Sequence, residues 1–393
     1  MVIEPKVRGF ICTTAHPDGC RENIKTQIKY IKEIMHKNGG IKEDGPKKVL
    51  VIGSSTGYGL STRIAATYIY GASTIGIMFE KPASQRRTAS AGFYNTEAFE
   101  QLAQNDGYYA KTLNMDAFSV ETKKETIELI KKDFGKVDMV IYSLAAPRRT
   151  TADGTTYVST LKTTDTEFKN KSLDLRNNTI TEACIPPANE EELQGTIKVM
   201  GGEDWKDWIL ALNEADVLSE NAITLAYSYI GPKLTYPVYF NGTIGNAKKH
   251  LYQTSIDITE QLKEKNIKAY ISVNKAVVTQ ASSAIPVVPL YFTILYRVMK
   301  EKGLHEGCIE QMARLFLEKL EGETPITDQE NRIRLDDYEM REDVQNEVMD
   351  LWKQVSTENL PEIADLQGYW EDFYHMFGFH FPNVDYSNDI ELV

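Results

Sequence analysis

One stretch decides the fold of this 393-residue chain: Lys47-Lys-Val-Leu-Val-Ile-Gly-Ser-Ser-Thr-Gly-Tyr-Gly59. Its first part is apolar and rich in β-branched residues, which is typical of a buried parallel strand. Glycines follow at 53, 57 and 59, just before a helix-length segment. Glycine permits positive φ and close approach of the backbone to a pyrophosphate, and a helix N-terminus adds free N–H groups. The alternative is a tight turn without a ligand.

The stretch therefore predicts a strand, a dinucleotide-binding turn and a helix. Its GxxxGxG spacing differs from GxGxxG and is the one that short-chain dehydrogenases use. The predicted cofactor contacts in this turn are Gly53, Ser54, Ser55, Thr56, Gly57 and Tyr58.

Similar apolar runs recur along the chain and alternate with helix-length segments. This alternation predicts βαβ units and hence a Rossmann-like, doubly wound parallel α/β sheet. The ligands of such sheets bind at the carboxyl ends of the strands. The predicted strands are residues 47–53, 73–80, 108–113, 137–145, 222–230 and 268–276, and the predicted helices between them are 60–70, 121–134 and 243–265.

Two regions depart from the alternation. Residues 148–200 are polar and Thr-rich, which fits either part of a substrate pocket or a surface insertion without a role. After Pro286 the chain becomes mostly helical. We therefore expect a single Rossmann-like domain over 1–393, with an insertion at about 148–205 and a C-terminal helical cap from about 290.

Composition excludes several classes of protein. A formal net charge of -12 argues against nucleic acid as the main partner, because phosphate binding needs a basic surface. The four cysteines show no CxxC spacing, so we expect neither a disulfide framework nor a metal site. The sequence has no run of about 18 apolar residues and no signal-peptide pattern. We expect a cytoplasmic protein that does not bind membranes, as a monomer or a homodimer.

The ends of the other predicted strands supply further cofactor contacts. Glu80 closes the second strand, where a carboxylate accepts hydrogen bonds from ribose hydroxyls and repels a 2′-phosphate. It favours NADH, although Lys81, Arg86 and Arg87 lie close enough in sequence to bind that phosphate. The remaining candidates are Asp116 for the adenine, Leu144 and Ala145 for close backbone approach, and Val277, Val278 and Thr279 for the nicotinamide carboxamide.

Tyr239 and Lys248 form the candidate catalytic pair. Short-chain dehydrogenases keep Tyr and Lys four residues apart on one helical face, whereas a spacing of nine puts two side chains on opposite faces. We therefore place Tyr239 in a loop that folds back toward Lys248, with Thr243 at the start of the helix. A nearby ammonium would favour the tyrosine anion and make the phenol a better acid. Tyr229 ends the fifth strand and is a candidate for contact with the substrate carbonyl, or for core packing.

Several motifs resemble the trans-2-enoyl-CoA reductases and the related FabV-type enoyl-acyl-carrier-protein reductases. The resemblance covers nearly the whole chain. Its most specific parts are the Tyr-x8-Lys spacing and Val199-Met-Gly-Gly-Glu-Asp-Trp205, and it also includes Tyr142-Ser-Leu-Ala-Ala-Pro147, Ala226-Tyr-Ser-Tyr-Ile-Gly231 and Ile285-Pro-Val-Val-Pro-Leu-Tyr291.

The resemblance implies that NADH reduces the 2,3-double bond of an acyl thioester. The acyl group would be carried by coenzyme A or by acyl carrier protein. The resemblance also implies that Tyr239 is the acid, that Lys248 also contacts the cofactor, and that Tyr229 contacts the substrate. It adds Phe79 and Ala117 to the cofactor contacts. Two other functions compete: an ordinary carbonyl reductase, which would need Tyr and Lys four residues apart, and a non-catalytic NAD-binding sensor, which needs no acid.

Overall fold

The computed structural model describes residues 1–8, 11–279, 282 and 285–391. The described strands are β1 (Val7–Arg8), β2 (Ile11–Cys12), β3 (Lys48–Ile52), β4 (Ser73–Met78), β5 (Ala110–Asn114), β6 (Val137–Tyr142), β7 (Arg148–Thr150), β8 (Thr156–Val158), β9 (Phe168–Asp174), β10 (Thr179–Ile185), β11 (Leu218–Ser228), β12 (Lys268–Val273) and β13 (Arg332–Arg334).

The described helices are α1 (Pro17–Lys37), α2 (Gly57–Tyr70), α3 (Ala91–Asn105), α4 (Val120–Asp133), α5 (Glu190–Met200), α6 (Glu203–Glu214), α7 (Thr243–Gln261), α8 (Val288–Glu301), α9 (Cys308–Arg314), α10 (Glu342–Gln354), α11 (Leu360–Ile363) and α12 (Leu366–His375). A π-helical turn, Leu315–Lys319, continues α9. In the described part of the chain, no helix has both the length and the apolar character of a membrane span.

Seven strands form one parallel sheet in the order β13-β12-β11-β6-β3-β4-β5. The order runs outward in both directions from β3 and β6, so the chain crosses over between these two strands. Crossover connections of this kind carry helices on both faces of a sheet. The predicted doubly wound parallel fold is confirmed.

The central strands are buried on both faces, which explains their continuous apolar sequences. Val49 and Val51 of β3 pack toward α1, α2, α3 and α9. Leu50 and Ile52 pack on the other side, toward α4, α6 and α7. Since successive side chains of a strand point to opposite faces, each face needs its own apolar residues.

A third apolar cluster lies beyond the sheet and joins the C-terminal helices α8, α10 and α12 to the N-terminal segment. The partly buried rings of Tyr229 and Tyr239 pack against it. The C-terminal segment also contributes β13 to the edge of the sheet beside β12. One flank of the sheet's carboxyl edge is therefore closed by residues from the last quarter of the chain.

Residues 148–200 form two antiparallel hairpins, β7 with β8 and β9 with β10, followed by α5. Arg149 anchors the first hairpin, since its guanidinium donates to the carbonyl of Lys198 (3.0 Å) and to Glu203 (3.1 Å). The second hairpin reaches α8, because the amide of Val287 donates to the Ser172 hydroxyl (3.3 Å). The region leaves the sheet, as the loss of alternation indicated.

Candidate active site

The strand ends meet at one edge of the sheet. β3, β4, β6, β11 and β12 are mutually parallel neighbours, so the residues that follow them lie along the same side. The predicted site residues follow these strands and β5, with Tyr239 and Lys248 in the segment after β11. The structure thus collects residues, from Gly53 to Thr279, that are more than two hundred positions apart in the sequence.

The glycine-rich turn is shaped for close backbone approach. Gly53 has φ of 84°, and a Cβ there would lie 2.2 Å from the carbonyl oxygen of Ser143. A Cβ on Gly59 would lie 1.9 Å from the carbonyl oxygen of Gly53. α2 begins at Gly57, and the Thr56 side chain makes no capping hydrogen bond in the described structure. The first backbone N–H groups of α2 therefore receive no cap from the Thr56 side chain. Such N–H groups at a helix N-terminus are suited to bind a pyrophosphate.

Glu80 connects the turn to the start of α3. Its carboxylate accepts hydrogen bonds from Ser55 (2.7 Å) and Ser90 (2.5 Å), one on each oxygen. Each carboxylate oxygen has a second lone pair, so the group retains capacity for ribose hydroxyls. The alternative ligands for a 2′-phosphate, Lys81 and Arg86, are exposed. The side chain of Phe79, next to Glu80 in the sequence, is also exposed, with an exposed fraction of 77%.

Of the other predicted cofactor residues, some are accessible to a ligand and others already accept hydrogen bonds within the protein. Leu144 is half-buried and Ala145 is exposed at the end of β6. Asp116 already accepts a hydrogen bond from the Phe118 amide (3.0 Å), and the Ala117 carbonyl accepts one from the Trp208 indole (3.1 Å). These two residues serve the turn after β5 and the packing of α6, and the contact of Asp116 with the adenine and of Ala117 with the cofactor stays a prediction.

The segment after β12 is held by hydrogen bonds of its own. The Val278 amide donates to the Tyr296 hydroxyl (3.1 Å), and the Thr279 amide donates to Ser282 (2.9 Å). Val277 is buried, and its carbonyl accepts a hydrogen bond from Ser282 (3.0 Å). The Tyr58 phenol donates inward to the Lys275 carbonyl (2.5 Å), so its ring joins the glycine-rich turn to this segment rather than facing outward.

Tyr239 lies in the loop between β11 and α7, as the sequence predicts. The loop contains the 3-10 turn Lys233–Thr235, and α7 begins at Thr243. The half-buried ring of Tyr239 meets Tyr229 edge to face, with ring centroids 5.1 Å apart at 87°. Edge-to-face contact is a favourable arrangement of aromatic rings. Two phenols predicted to face the substrate are thereby brought together.

Burial, rather than a neighbouring cation, dominates the acidity of Tyr239. Burial raises the pKa of its phenol, and the nearby carboxylate of Glu339 raises the pKa further. We expected Lys248 to favour the anion of Tyr239, but the shift has the opposite sign. The protein by itself keeps this phenol protonated at neutral pH, so the proton is available for donation.

Lys248 lies in the second turn of α7. Its ammonium donates to the carbonyl of Tyr227 (3.3 Å), at the end of β11. Burial lowers the pKa of Lys248 to about 8, since a charged amine is less stable out of water. Lys249, by contrast, is exposed and lies over the Phe240 ring at 5.6 Å. Of the two lysines, Lys248 is the one that reaches the strand end.

Glu339 is the main site residue that the sequence did not reveal. It is fully buried, and its two oxygens accept hydrogen bonds from Tyr229 (2.9 Å), Tyr291 (2.7 Å) and the Ala276 amide (2.7 Å). It lies in an acidic run, Asp336-Asp337-Tyr338-Glu339, in which nothing distinguishes one carboxylate from another. Tyr291 ends a motif that was noted above without a role. Among the described residues, no group of three or more His, Cys, Asp or Glu side chains is arranged to hold a metal ion.

Comparison with known proteins identifies the family. Residues 87–321 match the model of the trans-2-enoyl-CoA reductase catalytic region, and residues 2–85 match the NAD(P)H binding domain of trans-2-enoyl-CoA reductase. The chain belongs to the trans-2-enoyl-CoA reductase family. The family indicated by the sequence motifs is therefore confirmed.

The most similar relatives carry two names. An enoyl-[acyl-carrier-protein] reductase [NADH] of Flavobacterium johnsoniae is 56% identical over 100% of this chain and 98% of its own. A trans-2-enoyl-CoA reductase [NADH] of Ruminiclostridium cellulolyticum is 52% identical over 100% of this chain and 98% of its own. The crystal structure of Treponema denticola trans-2-enoyl-CoA reductase in complex with NAD superposes with a TM-score of 0.95, at 46% identity, over 99% of this chain and 98% of that one.

Residues 327–390 match a third family model, described as an enoyl reductase FAD binding domain. The side chains of this segment do not fit a flavin. His380 stacks on Tyr374 at 4.1 Å and Phe381 stacks on His375 at 4.3 Å, so these ring faces are covered. A Cβ on Gly378 would lie 2.5 Å from the backbone of Cys20. Many apolar side chains of the segment pack in the third apolar cluster, and a flavin takes no part in the function proposed below.

Proposed function

We propose that this family member reduces the 2,3-double bond of trans-2-enoyl-CoA thioesters of the crotonyl-CoA type with NADH and releases the saturated acyl-CoA. One observation carries the proposal. The protonated phenol of Tyr239 lies against Tyr229 at the sheet edge where the glycine-rich turn also ends, so an acid and a dinucleotide cradle share one site.

The residues of the chain fit NADH. The turn keeps its tight shape only with glycine at positions 53 and 59, because a side chain at either position would collide with backbone. A tight turn of this kind before a helix N-terminus suits a pyrophosphate. Glu80 presents a carboxylate to the adenosine ribose and would repel a 2′-phosphate. The names of both relatives specify NADH. When bound, the cofactor supplies the hydride that adds to the β-carbon of the thioester.

Tyr239 supplies the complementary acid. Addition of hydride to the β-carbon moves negative charge onto the thioester oxygen, and a phenol placed there stabilises the enolate by donating a hydrogen bond or a proton. Because its pKa is raised, Tyr239 carries that proton throughout the neutral range. The ammonium of Lys248 donates to the Tyr227 carbonyl (3.3 Å) at the end of β11, and in this proposal it adds positive charge there and contacts the nicotinamide ribose.

The acyl carrier gives a second candidate function, reduction of enoyl-[acyl-carrier-protein]. The name of the Flavobacterium relative, at 56% identity, favours it. The name of the Ruminiclostridium relative, at 52%, favours coenzyme A. The two functions share the chemistry at the double bond and differ only in what holds the thioester.

The test is NADH oxidation followed at 340 nm with crotonyl-CoA, longer enoyl-CoAs and an enoyl-acyl-carrier-protein, measured side by side. We expect turnover of crotonyl-CoA, and a fall in kcat of about a thousandfold in Tyr239→Phe with NADH binding retained. Tyr236→Phe is the matched control, because it removes a phenol from the same loop, where the Tyr236 ring stacks on Phe240. Full turnover by Tyr239→Phe would overturn the assignment of the acid.

A further inference from the structure

Glu339 occupies a position that the reaction itself does not explain. Its side chain is fully buried and comes from the C-terminal segment, 110 residues after Tyr229 in the sequence. A buried carboxylate is costly unless its oxygens are satisfied by hydrogen bonds. Here three donors satisfy it, and two of them belong to the two sides of the proposed active site.

One oxygen of Glu339 holds the substrate side. Oε1 accepts the phenol protons of Tyr229 (2.9 Å) and Tyr291 (2.7 Å). A phenol has a single proton, so a tyrosine that donates to Glu339 has only lone pairs left for any other neighbour. Tyr229 in this arrangement cannot also donate to the thioester oxygen. Its ring neighbour Tyr239 remains as the donor.

The other oxygen holds the nicotinamide side. Oε2 accepts the backbone N–H of Ala276 (2.7 Å), the residue immediately before Val277, Val278 and Thr279. The same carboxylate therefore joins the end of β12 to the end of β11. Since a carboxylate is rigid and planar, these bonds fix the spacing between Tyr229 and the start of the nicotinamide segment.

Opposing influences act on the charge of the Glu339 carboxyl group. The ammonium of Lys275, also buried, attracts it, and Asp336 repels it. Burial is the largest influence and raises the pKa of Glu339 above its usual value. Gln345 completes the cage by donating to the Glu339 carbonyl (2.7 Å) and to the Tyr291 hydroxyl (3.1 Å).

We propose that Glu339 is a positioning residue that commits the proton of Tyr229, leaves Tyr239 as the acid, and sets the distance between the substrate tyrosines and the nicotinamide segment. The inference rests on the proposed function, because it assigns Glu339 a part in enoyl thioester reduction. It makes the C-terminal segment a component of the active site rather than a remote cap.

Glu339→Gln tests the proposal, since glutamine has the same shape but turns an N–H toward either the Ala276 amide or the phenols. We expect kcat with crotonyl-CoA to fall at least about tenfold, with NADH affinity, measured by fluorescence titration, changed less than about threefold. If Glu339 acts through Tyr229, adding Tyr229→Phe to Glu339→Gln should cost less than Tyr229→Phe costs in the parent. If Glu339 had only a structural role, the fold losses of kcat from Glu339→Gln and from Tyr229→Phe would multiply in the double variant.

Two further variants keep the proposal open to refutation. Asp328→Asn is the matched control, because Asp328 lies in the same C-terminal segment, is half-buried and pairs with Arg332 (2.9 Å); we expect lower thermal stability and unchanged kcat. Tyr291→Phe covers the case in which Glu339→Gln does not fold, since it removes one of the two phenols on Oε1; we expect kcat to fall about threefold.

A kcat within twofold of the parent in Glu339→Gln, or in Tyr291→Phe if Glu339→Gln is unfolded, overturns the positioning role. That outcome is distinct from failure of the proposed function, which Tyr239→Phe and the substrate comparison decide independently.

Discussion

The cofactor side and the substrate side of the proposed site are built in different ways. The cofactor side comes mainly from one contiguous stretch, β3 through the start of α2, with Glu80 one strand later. The substrate side joins residues from four separate parts of the chain: Tyr229 at the end of β11, Tyr239 in the next loop, Tyr291 on α8 and Glu339 after β13. Local geometry governs the first and long-range packing governs the second.

This difference predicts how each side fails. A change in the contiguous stretch should weaken NADH binding, because backbone shape alone makes that cradle. A change on the assembled side should leave NADH bound and lower turnover, because the phenols and the carboxylate hold one another in place. Three further substitutions test this difference between the two sides.

The largest effect is expected for Gly59→Ala. The new Cβ would lie 1.9 Å from the Gly53 carbonyl oxygen, so the cradle must open. We expect NADH affinity to fall at least about a hundredfold, as measured by fluorescence titration. The control is Gly71→Ala at the other end of α2, where φ is 64°. It should cost about 1 kcal/mol of stability and leave NADH affinity unchanged. Equal loss of affinity in both variants would contradict a locally built cofactor side.

Lys248 stands between the two sides, and its titration should be visible in the pH profile. Its pKa is lowered to about 8 by burial, so the ammonium is present below that pH and lost above it. We expect kcat/KM for crotonyl-CoA to fall about tenfold for each pH unit well above 8, since kcat/KM reports groups of the free enzyme. Tyr239 does not cause this decline, because its pKa is raised.

Lys248→Arg separates charge from other effects. A guanidinium has a much higher pKa than an ammonium and stays charged over the whole pH profile, so an active Lys248→Arg variant should lose the alkaline decline. A parent profile that stays flat to pH 10, or an identical decline in the arginine variant, would show that the charge of residue 248 is not needed.

A smaller effect is expected for Glu80→Gln, which removes the charge but keeps the shape on the cofactor side. We expect kcat/KM for NADH to fall about tenfold, and the preference for NADH over NADPH to narrow because a 2′-phosphate is no longer repelled. Ser90→Ala is the control, since it removes one partner (2.5 Å) and keeps the carboxylate. Its loss should stay below about threefold. An unchanged ratio of NADH to NADPH in Glu80→Gln would remove Glu80 from cofactor selection.

Much of the sheet was predictable because its strands carry a local signal. The six predicted strands correspond to β3, β4, β5, β6, β11 and β12. The helices α2, α4, α7 and α8 begin at residues 57, 120, 243 and 288, each within a few residues of its predicted start. β13 was not predicted, since three residues, Arg332-Ile-Arg334, give no readable alternation. α1 and α3 were also not predicted, because their mixed polar and apolar residues form a weaker pattern than the continuous apolar strands.

The positions of the proposed site residues in the fold were predictable where these residues follow a strand end or have a recognisable spacing. The glycine-rich turn, Glu80, Tyr229, Tyr239 and Lys248 all lie where the sequence placed them, along the carboxyl edge. The acidity of Tyr239 was not predictable: we expected a neighbouring cation to lower its pKa, whereas burial and Glu339 raise it. Burial is a property of the packed chain, and neither the identity nor the spacing of residues reports it.

The parallel α/β architecture and the family could therefore be derived from the amino-acid sequence alone, and the glycine-rich turn and the tyrosine–lysine pair were chosen from it as candidates. These features depend on patterns within a few tens of residues, where strand periodicity and turn geometry act directly. Packing of the whole chain selects which carboxylate of the acidic run is buried against Tyr229, and it forms the hydrogen bond that, in our proposal, commits the Tyr229 proton. Those choices depend on contacts such as the one between Tyr229 and Glu339, 110 residues apart, which exist only once the C-terminal segment has packed against the sheet edge.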